Sequence, residues 1–428
     1  MFRLYLRDRL PKSPVTTVSL AAIALVLLMC LYRVALVEAR DTLTTERAIG
    51  DLLTSRDTGE AESPPEDSGE WGLLPQVGFS PDQGIKVGVK YTARHVRGTG
   101  LTLDLNAIGA QKGQQSYTLT GLHSMLLDGH LMAGGQATFS SDPTHEFFGL
   151  GNNEVGPDPL STHRVQTIGG TLTLAWRVFD RLAIALSAGY RDVQIGRGEA
   201  DTDHNTPFTV DVFPELTGID GGRTIPLTLS LIFNNREDIT RPTQGWSLIA
   251  EIEHVDRSLG SDFEFTHFSV DASYLWPILK RRQIIAVRLG GKHIVGDQND
   301  IPFYELTHLG GDNTLRGFFQ DRFLGKSLLL ATLEYRFKLL DFAFFDLWQV
   351  RIDGVAFGET GRVFIDADDV EEQFRLDDEF VSRLIDNFKY SYGGGIRIAL
   401  GKAILARIDV GFSDEETALV YLTFSHTF

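Results

Sequence analysis

Two sets of side chains have the makings of a reactive site. In HFSVD, His267, Ser269 and Asp271 alternate along the chain, so on a strand they point to one side. A base, a hydroxyl and a carboxylate on one side are what an activated nucleophile requires, but three such residues in one strand equally make a wet wall. His308 stands near Glu305 and Asp312 and suits a surface base or a metal ligand, yet no third ligand accompanies it. No HExxH or GxSxG motif occurs, and GGDN lacks the lysine-serine pair and the helix of a phosphate loop. The single cysteine, Cys30, excludes an internal disulfide framework and a cysteine-based zinc site. These residues predict no enzyme, no cofactor and no metal. A third feature is LGGDNTLRGF (309–318), a polar, glycine-rich stretch with one arginine, Arg316. A guanidinium there is either solvated in an ordinary loop or forked onto carboxylates elsewhere in the chain.

What Arg316 meets depends on the segments around it. From Trp71 onward, stretches of about ten residues alternate apolar and polar side chains, the pattern of outer-membrane strands. In GLTLDLNA, Leu101, Leu103 and Leu105 oppose Thr102, Asp104 and Asn106. Sixteen such segments begin near residues 72, 84, 99, 115, 128, 165, 181, 224, 244, 264, 281, 326, 348, 388, 403 and 417. The spacing predicts an all-β, 16-stranded antiparallel transmembrane barrel. The four longest connections, 141–164, 197–223, 298–325 and 362–387, all follow odd-numbered strands, as a barrel with one short-turn end requires. Trp71, Trp246 and Trp348 start odd strands, while Trp176 and Trp276 end even ones. All five therefore fall at the short-turn end, where an aromatic girdle meets the membrane interface. In the twelfth strand Leu329, Ala331, Leu333 and Tyr335 take the lipid face, leaving Glu334 to the lumen; Arg351, Asp353 and Glu359 share the lumenal face of the thirteenth. The one helical pattern is LDDEFVSRLIDNF (376–388), with a stripe of Phe380, Leu384, Ile385 and Phe388.

Composition agrees. The 428 residues include 43 glycines and 28 phenylalanines and carry a formal charge of -17, which argues against a nucleic-acid partner. A mean hydropathy of -0.06 is too low for a helical membrane bundle but suits alternating strands. At the start, Arg3, Arg7, Arg9 and Lys12 precede an apolar run and VALVEA. Residues 1–39 read as a signal peptide cut before Arg40, with an uncleaved anchor as the alternative. Residues 40–70 read as a flexible acidic periplasmic segment, and 71–428 as the barrel.

Several motifs then resemble one family in order: PTQG (242–245), FFGLGN (147–152), LRGF (315–318), LEYRF (333–337), FGETGRVF (357–364), YGGGIRIAL (392–400) and RIDVGFS (407–413). Together they resemble the BamA/TamA superfamily of outer-membrane assembly barrels, also called bacterial surface antigens, over roughly 72–428. The terminal Phe428, sharing a face with Phe424, resembles the barrel-assembly signal at the end of such chains. The resemblance implies that the loop bearing Arg316, Gly317 and Phe318 folds inward, and that Arg316 pairs with Glu334 and with Glu359 of the strand containing Gly361. Glu359 stands where the family usually has aspartate. Family assembly factors carry POTRA domains before the barrel; here only residues 40–70 occupy that place, so the chain resembles the POTRA-less branch. The implied function is aid to protein or lipid insertion or translocation at the outer membrane. The implied partners are outer-membrane lipids, the barrel-assembly machinery and a periplasmic or client protein. A gated or passive pore plugged by the Arg316 loop and a structural surface antigen are the alternatives.

Overall fold

The computed structural model describes residues 70–96, 99–152, 158–199, 206–237, 242–279, 282–344, 348–365, 382–383, 387–400 and 404–423. The expected signal peptide, nearly all of the acidic segment, most of the helical pattern at 376–388, and Phe424 and Phe428 lie outside these residues.

Sixteen strands of the barrel follow one another as β1 (Glu70–Ser80), β2 (Gly84–Arg94), β3 (Leu101–Ala110), β4 (Gln115–Leu126), β5 (Leu131–Phe147), β6 (Ser161–Phe179), β7 (Leu182–Gly196) and β8 (Pro226–Asn234). The second half is β9 (Gly245–Val255), β10 (Phe265–Ile278), β11 (Gln283–Val295), β12 (Ser327–Phe344), β13 (Trp348–Phe364), β14 (Lys389–Leu400), β15 (Ile404–Phe412) and β16 (Leu419–Thr423). Each pairs antiparallel with the next, and β16 returns to β1 through Phe79 and Leu422, closing the barrel. A three-residue strand, Gly222–Thr224, adds to β7. A small hairpin, Thr307–Leu309 with Phe323–Gly325, stands inside the connection after β11.

Alternation sorts the side chains. Leu172, Leu186, Leu229, Val270, Leu289 and Leu333 are 48–73% exposed, a contiguous apolar band that only a bilayer covers. The residues between them are polar and buried, among them Thr173, Ser187, Ser230, Ser273 and Thr332. Thr173 and Ser187 hydrogen bond across β6 and β7 at 2.8 Å, which satisfies both hydroxyls on the inner wall. Trp71, Trp176, Trp246 and Trp276 are each at least half exposed on the outer face at the short-turn end.

The expected connection 141–164 is shorter than its composition suggests. β5 continues to Phe147 and β6 begins at Ser161, with pairing resumed after an irregularity between Asp142 and His145. These residues outrun the nine to eleven that a bilayer needs. They remain paired because polar side chains and loop contacts support them: His163 Nδ1 lies 3.1 Å from Thr209 Oγ1, and His145 Nδ1 lies 3.3 Å from Asp142 Oδ2.

Candidate functional site: a buried arginine and its carboxylates

The connection between β11 and β12 packs against residues of β12, β13 and β15. Its tip is a knot of short-range bonds: Gly311 N–H donates to Phe318 O at 3.0 Å, and Thr314 Oγ1 donates to Gly310 O at 2.7 Å. Gly310 and Gly311 adopt φ of +123° and +91°, open to glycine at little cost. One side of the knot is apolar. Leu309, Leu315, Phe318 and Phe323 pack on Leu328 and Leu330 of β12 and on Val363 of β13. Gly361 makes room, because a Cβ there would stand 3.0 Å from a Leu309 methyl.

The other side carries Arg316, which is fully buried. Its Nε donates to Glu359 Oε1 at 2.7 Å, and its backbone N–H donates to Glu359 Oε2 at 2.7 Å. One terminal nitrogen lies 2.9 Å from Glu334 Oε1 and the other 3.2 Å from Asp409 Oδ2. The guanidinium stacks over the Phe357 ring at 3.5 Å, a cation–π contact. Burial pulls the Arg316 pKa down, but Glu359, Glu334 and Asp409 together carry it above its ordinary value. Glu359 also accepts from Ser391 Oγ at 2.7 Å, so the extra methylene over aspartate serves three donors at once. Glu359→Asp is expected to lose one of them and to lower barrel stability by about 1.5–3 kcal/mol, the usual worth of a hydrogen bond to a charged group. Urea unfolding in detergent micelles measures this; an unchanged midpoint would show that the shorter side chain reaches all three.

Backbone approach is close around the motif. A Cβ at Gly317 would stand 2.4 Å from Phe412 O, and one at Gly411 would stand 2.0 Å from Arg316 O. Further bonds stitch the loop to the closing strands. Ser413 Oγ donates to Gly317 O at 2.7 Å, Tyr421 Oη donates to Phe318 O at 3.0 Å, and an Arg407 terminal nitrogen donates to Asp312 Oδ2 at 2.9 Å. Gln320 N–H donates to Asp82 Oδ1 at 3.1 Å in the turn between β1 and β2. FFGLGN meets the same region: Asn152 exchanges two hydrogen bonds, at 2.9 and 3.1 Å, with the Val363 backbone.

The structure thus brings Arg316, Glu334 and Glu359 together. Sequence reasoning did not find Asp409, Arg336, Arg397 or Arg407. Arg336 donates to Glu334 Oε2 at 2.8 Å, Arg397 to Asp409 Oδ1 at 2.7 Å, and Arg407 Nε lies 3.3 Å from Asp409 Oδ2. Their signal was present as charges of lumenal parity on β12, β14 and β15, but which of them meet depends on closure of the sheet. The other candidate sets do not assemble. Glu305 turns to Arg191 at 3.4 Å and Asp312 to Arg407, leaving His308 3.5 Å from Asp321. Burial draws the His308 pKa below its ordinary value, with Asp321 opposing. Ser269 Oγ donates to Glu251 and Asp271 accepts from Arg288, so no triad forms with His267.

This fold has solved counterparts. The chain is similar to BamA from Haemophilus ducreyi lacking POTRA domains 1–3, at 16% identity and a TM-score of 0.59 over 84% of this chain and 70% of that one. It is similar to CdiB from Escherichia coli at 12% identity and a TM-score of 0.55, over 82% of this chain but only 62% of that one. It is also similar to CdiB from Acinetobacter baumannii, at 9% identity and a TM-score of 0.50 over 91% and 72% of the two chains. Such identities speak for the fold alone. No curated protein sequence matches. The sequence profile of the Omp85 superfamily domain, however, matches residues 96–428, and the chain belongs to the Omp85 superfamily as a barrel of the bacterial outer membrane.

Proposed function

We propose that this barrel aids the insertion or translocation of proteins or lipids at the outer membrane, using the junction of β1 and β16 as a lateral exit. The observation that carries this reading is the pairing at the junction. Among the described residues β1 and β16 share one register pair, Phe79 with Leu422, whereas β1 and β2 share eleven. Pro75 within β1 has no N–H to donate, and a Cβ at Gly78 would stand 2.9 Å from Leu422 O. The family likeness to BamA supports the same reading. In it, membrane lipids are the surroundings into which a client passes, a periplasmic or client protein is the cargo, and Phe424 and Phe428 present the chain to the assembly machinery during its own biogenesis.

The test is a disulfide across the junction. A Phe79→Cys/Leu422→Cys barrel, oxidised in liposomes, is expected to lose the acceleration that the native barrel gives to insertion of a client barrel, and reductant is expected to restore it. Acceleration that survives oxidation overturns the lateral exit. A second reading, a gated pore plugged by the Arg316 loop, is favoured by the contacts of Arg316 with Glu334, Glu359 and Asp409 on three strands. Steady current through Arg316→Ala but not through the native barrel in planar bilayers supports the gate; steady current through both supports an open pore.

A further inference from the structure

A second cluster lies below the Arg316 site, on the lumenal wall at the short-turn end. Arg282 precedes β11, Arg336 and Lys338 lie on β12, Arg351 on β13 and Arg397 on β14, and all five line one pocket whose single carboxylate among the described residues is Asp353. Register explains the convergence. Lys338 is the cross-strand partner of Asp353, which is in turn the partner of Arg397, and Lys338 N–H donates to the Arg282 carbonyl. Three neighbouring strands thus set Lys338, Asp353 and Arg397 in one row on one face. Such a concentration of cations is unexpected in a chain of formal charge -17.

Among the described residues the carboxylates leave one donor of Arg397 unfilled. Arg351 Nε donates to Asp353 Oδ1 at 2.8 Å, and Lys338 pairs with Asp341. Glu334 is divided among Arg316, Arg336 and Arg397, and Asp409 among Arg316, Arg397 and Arg407. Arg397 is 5% exposed, and among the described residues one of its terminal nitrogens has no hydrogen-bond acceptor; a carboxylate oxygen of Glu334 stands 3.6 Å from it. A buried guanidinium N–H without an acceptor is costly, and the Arg397 side chain lines a small pocket of about 40 Å³. That volume has room for one oxyanion group.

The geometry points to a phosphate-binding subsite on the lumenal wall, formed by Arg336, Lys338, Arg351 and Arg397, that takes the phosphate group of a molecule entering from the periplasmic end. Several forked donors around one carboxylate suit an anion with more than one charge and three or four free oxygens. The turn residues Pro242 and Thr243 complete the rim, so the pocket lies at the end where the strands are joined by short turns. The subsite is coupled to the loop. Removing Arg316 leaves Glu334 and Asp409 more negative toward Arg336 and Arg397, so the anion is held less well without Arg316. Coupling of this kind is reciprocal.

The purified full-length barrel in a zwitterionic detergent, titrated at low salt by calorimetry with inorganic phosphate, with dihexanoylphosphatidylglycerol below its micelle concentration and with acetate, tests this. The native barrel is expected to bind phosphate saturably at one site, and acetate at least tenfold more weakly. Lys338→Gln/Arg351→Gln, which leaves every Arg316 contact in place, is expected to weaken phosphate at least tenfold. The equal charge loss of Arg223→Gln/Arg257→Gln, at the opposite end, leaves it unchanged. Arg316→Ala weakens it severalfold. Tighter binding of the lipid than of phosphate assigns a headgroup as the natural source; equal or weaker binding assigns a free phosphate. No saturable site, equal loss in both double variants, or acetate binding as well as phosphate overturns the subsite.

Discussion

Arg316→Ala is expected to destabilise the barrel by about 3–5 kcal/mol, the range for removing one partner of a buried ion pair. The loss falls unequally on the three carboxylates. Glu334 keeps Arg336, and Asp409 keeps Arg397 and Arg407. Glu359, 3% exposed, keeps the Ser391 hydroxyl and the backbone N–H of residue 316 but no cation among the partners described above. Most of the penalty is therefore an unpaired carboxylate at residue 359. The double variant Arg316→Ala/Glu359→Gln is expected to recover part of the lost stability, which a pure loss of packing would not allow. Urea midpoints in micelles measure the stability, and limited proteolysis between 309 and 318 reports whether the loop has come free. A loop equally protected in Arg316→Ala would show that the apolar cluster around Phe318 holds it without the ion network.

The second large effect reaches the same loop without touching a charge. In Gly411→Ala the new methyl group would lie 2.0 Å from Arg316 O and 2.8 Å from Gly317 N, well inside van der Waals contact. β15 is held by its neighbours on both sides, so the loop is the part that yields. The expected result is protease cleavage in 309–318 and a stability loss of about 1–3 kcal/mol or more, the range for overpacking. Gly358→Ala is the control, since a Cβ there meets nothing within 4 Å; it is expected to stay within about 0.5 kcal/mol of the native barrel. If Gly411→Ala keeps the loop protected, the close contact at β15 has room to relax and does not seat the loop.

Much of this architecture was legible because a barrel strand alternates with a period of two and its ends meet an interface. Every strand begins within four residues of the position set by the pattern, and four tryptophans stand exposed at the expected end. Glu334 was readable from the parity of β12 alone. Its pairing with Arg316 was not, since a loop side chain has no period, and that came from the family likeness of LRGF and LEYRF. The upper parts of β5 and β6 were hidden because Asp142, His145 and His163 read as loop residues; they are strand only through contacts with one another and with Thr209. Asp409 was hidden for another reason. It lies 93 residues from Arg316, and its lumenal parity matches that of many charges that never approach the loop.

That separation runs in one direction. Every carboxylate that receives Arg316 lies later in the chain, at 334, 359 and 409, and the groups that hold Gly317 and Phe318, Ser413 and Tyr421, come later still. During synthesis the arginine exists before any of its acceptors, and ordering so distant a contact costs loop-closure entropy before it returns anything. The loop can seat fully only when the C-terminal hairpin is in place. A seated loop therefore reports that β15 and β16 are in place, and a barrel lacking them would leave Arg397 without Asp409 and the loop without the Ser413 and Tyr421 bonds, as the mark of an unfinished product.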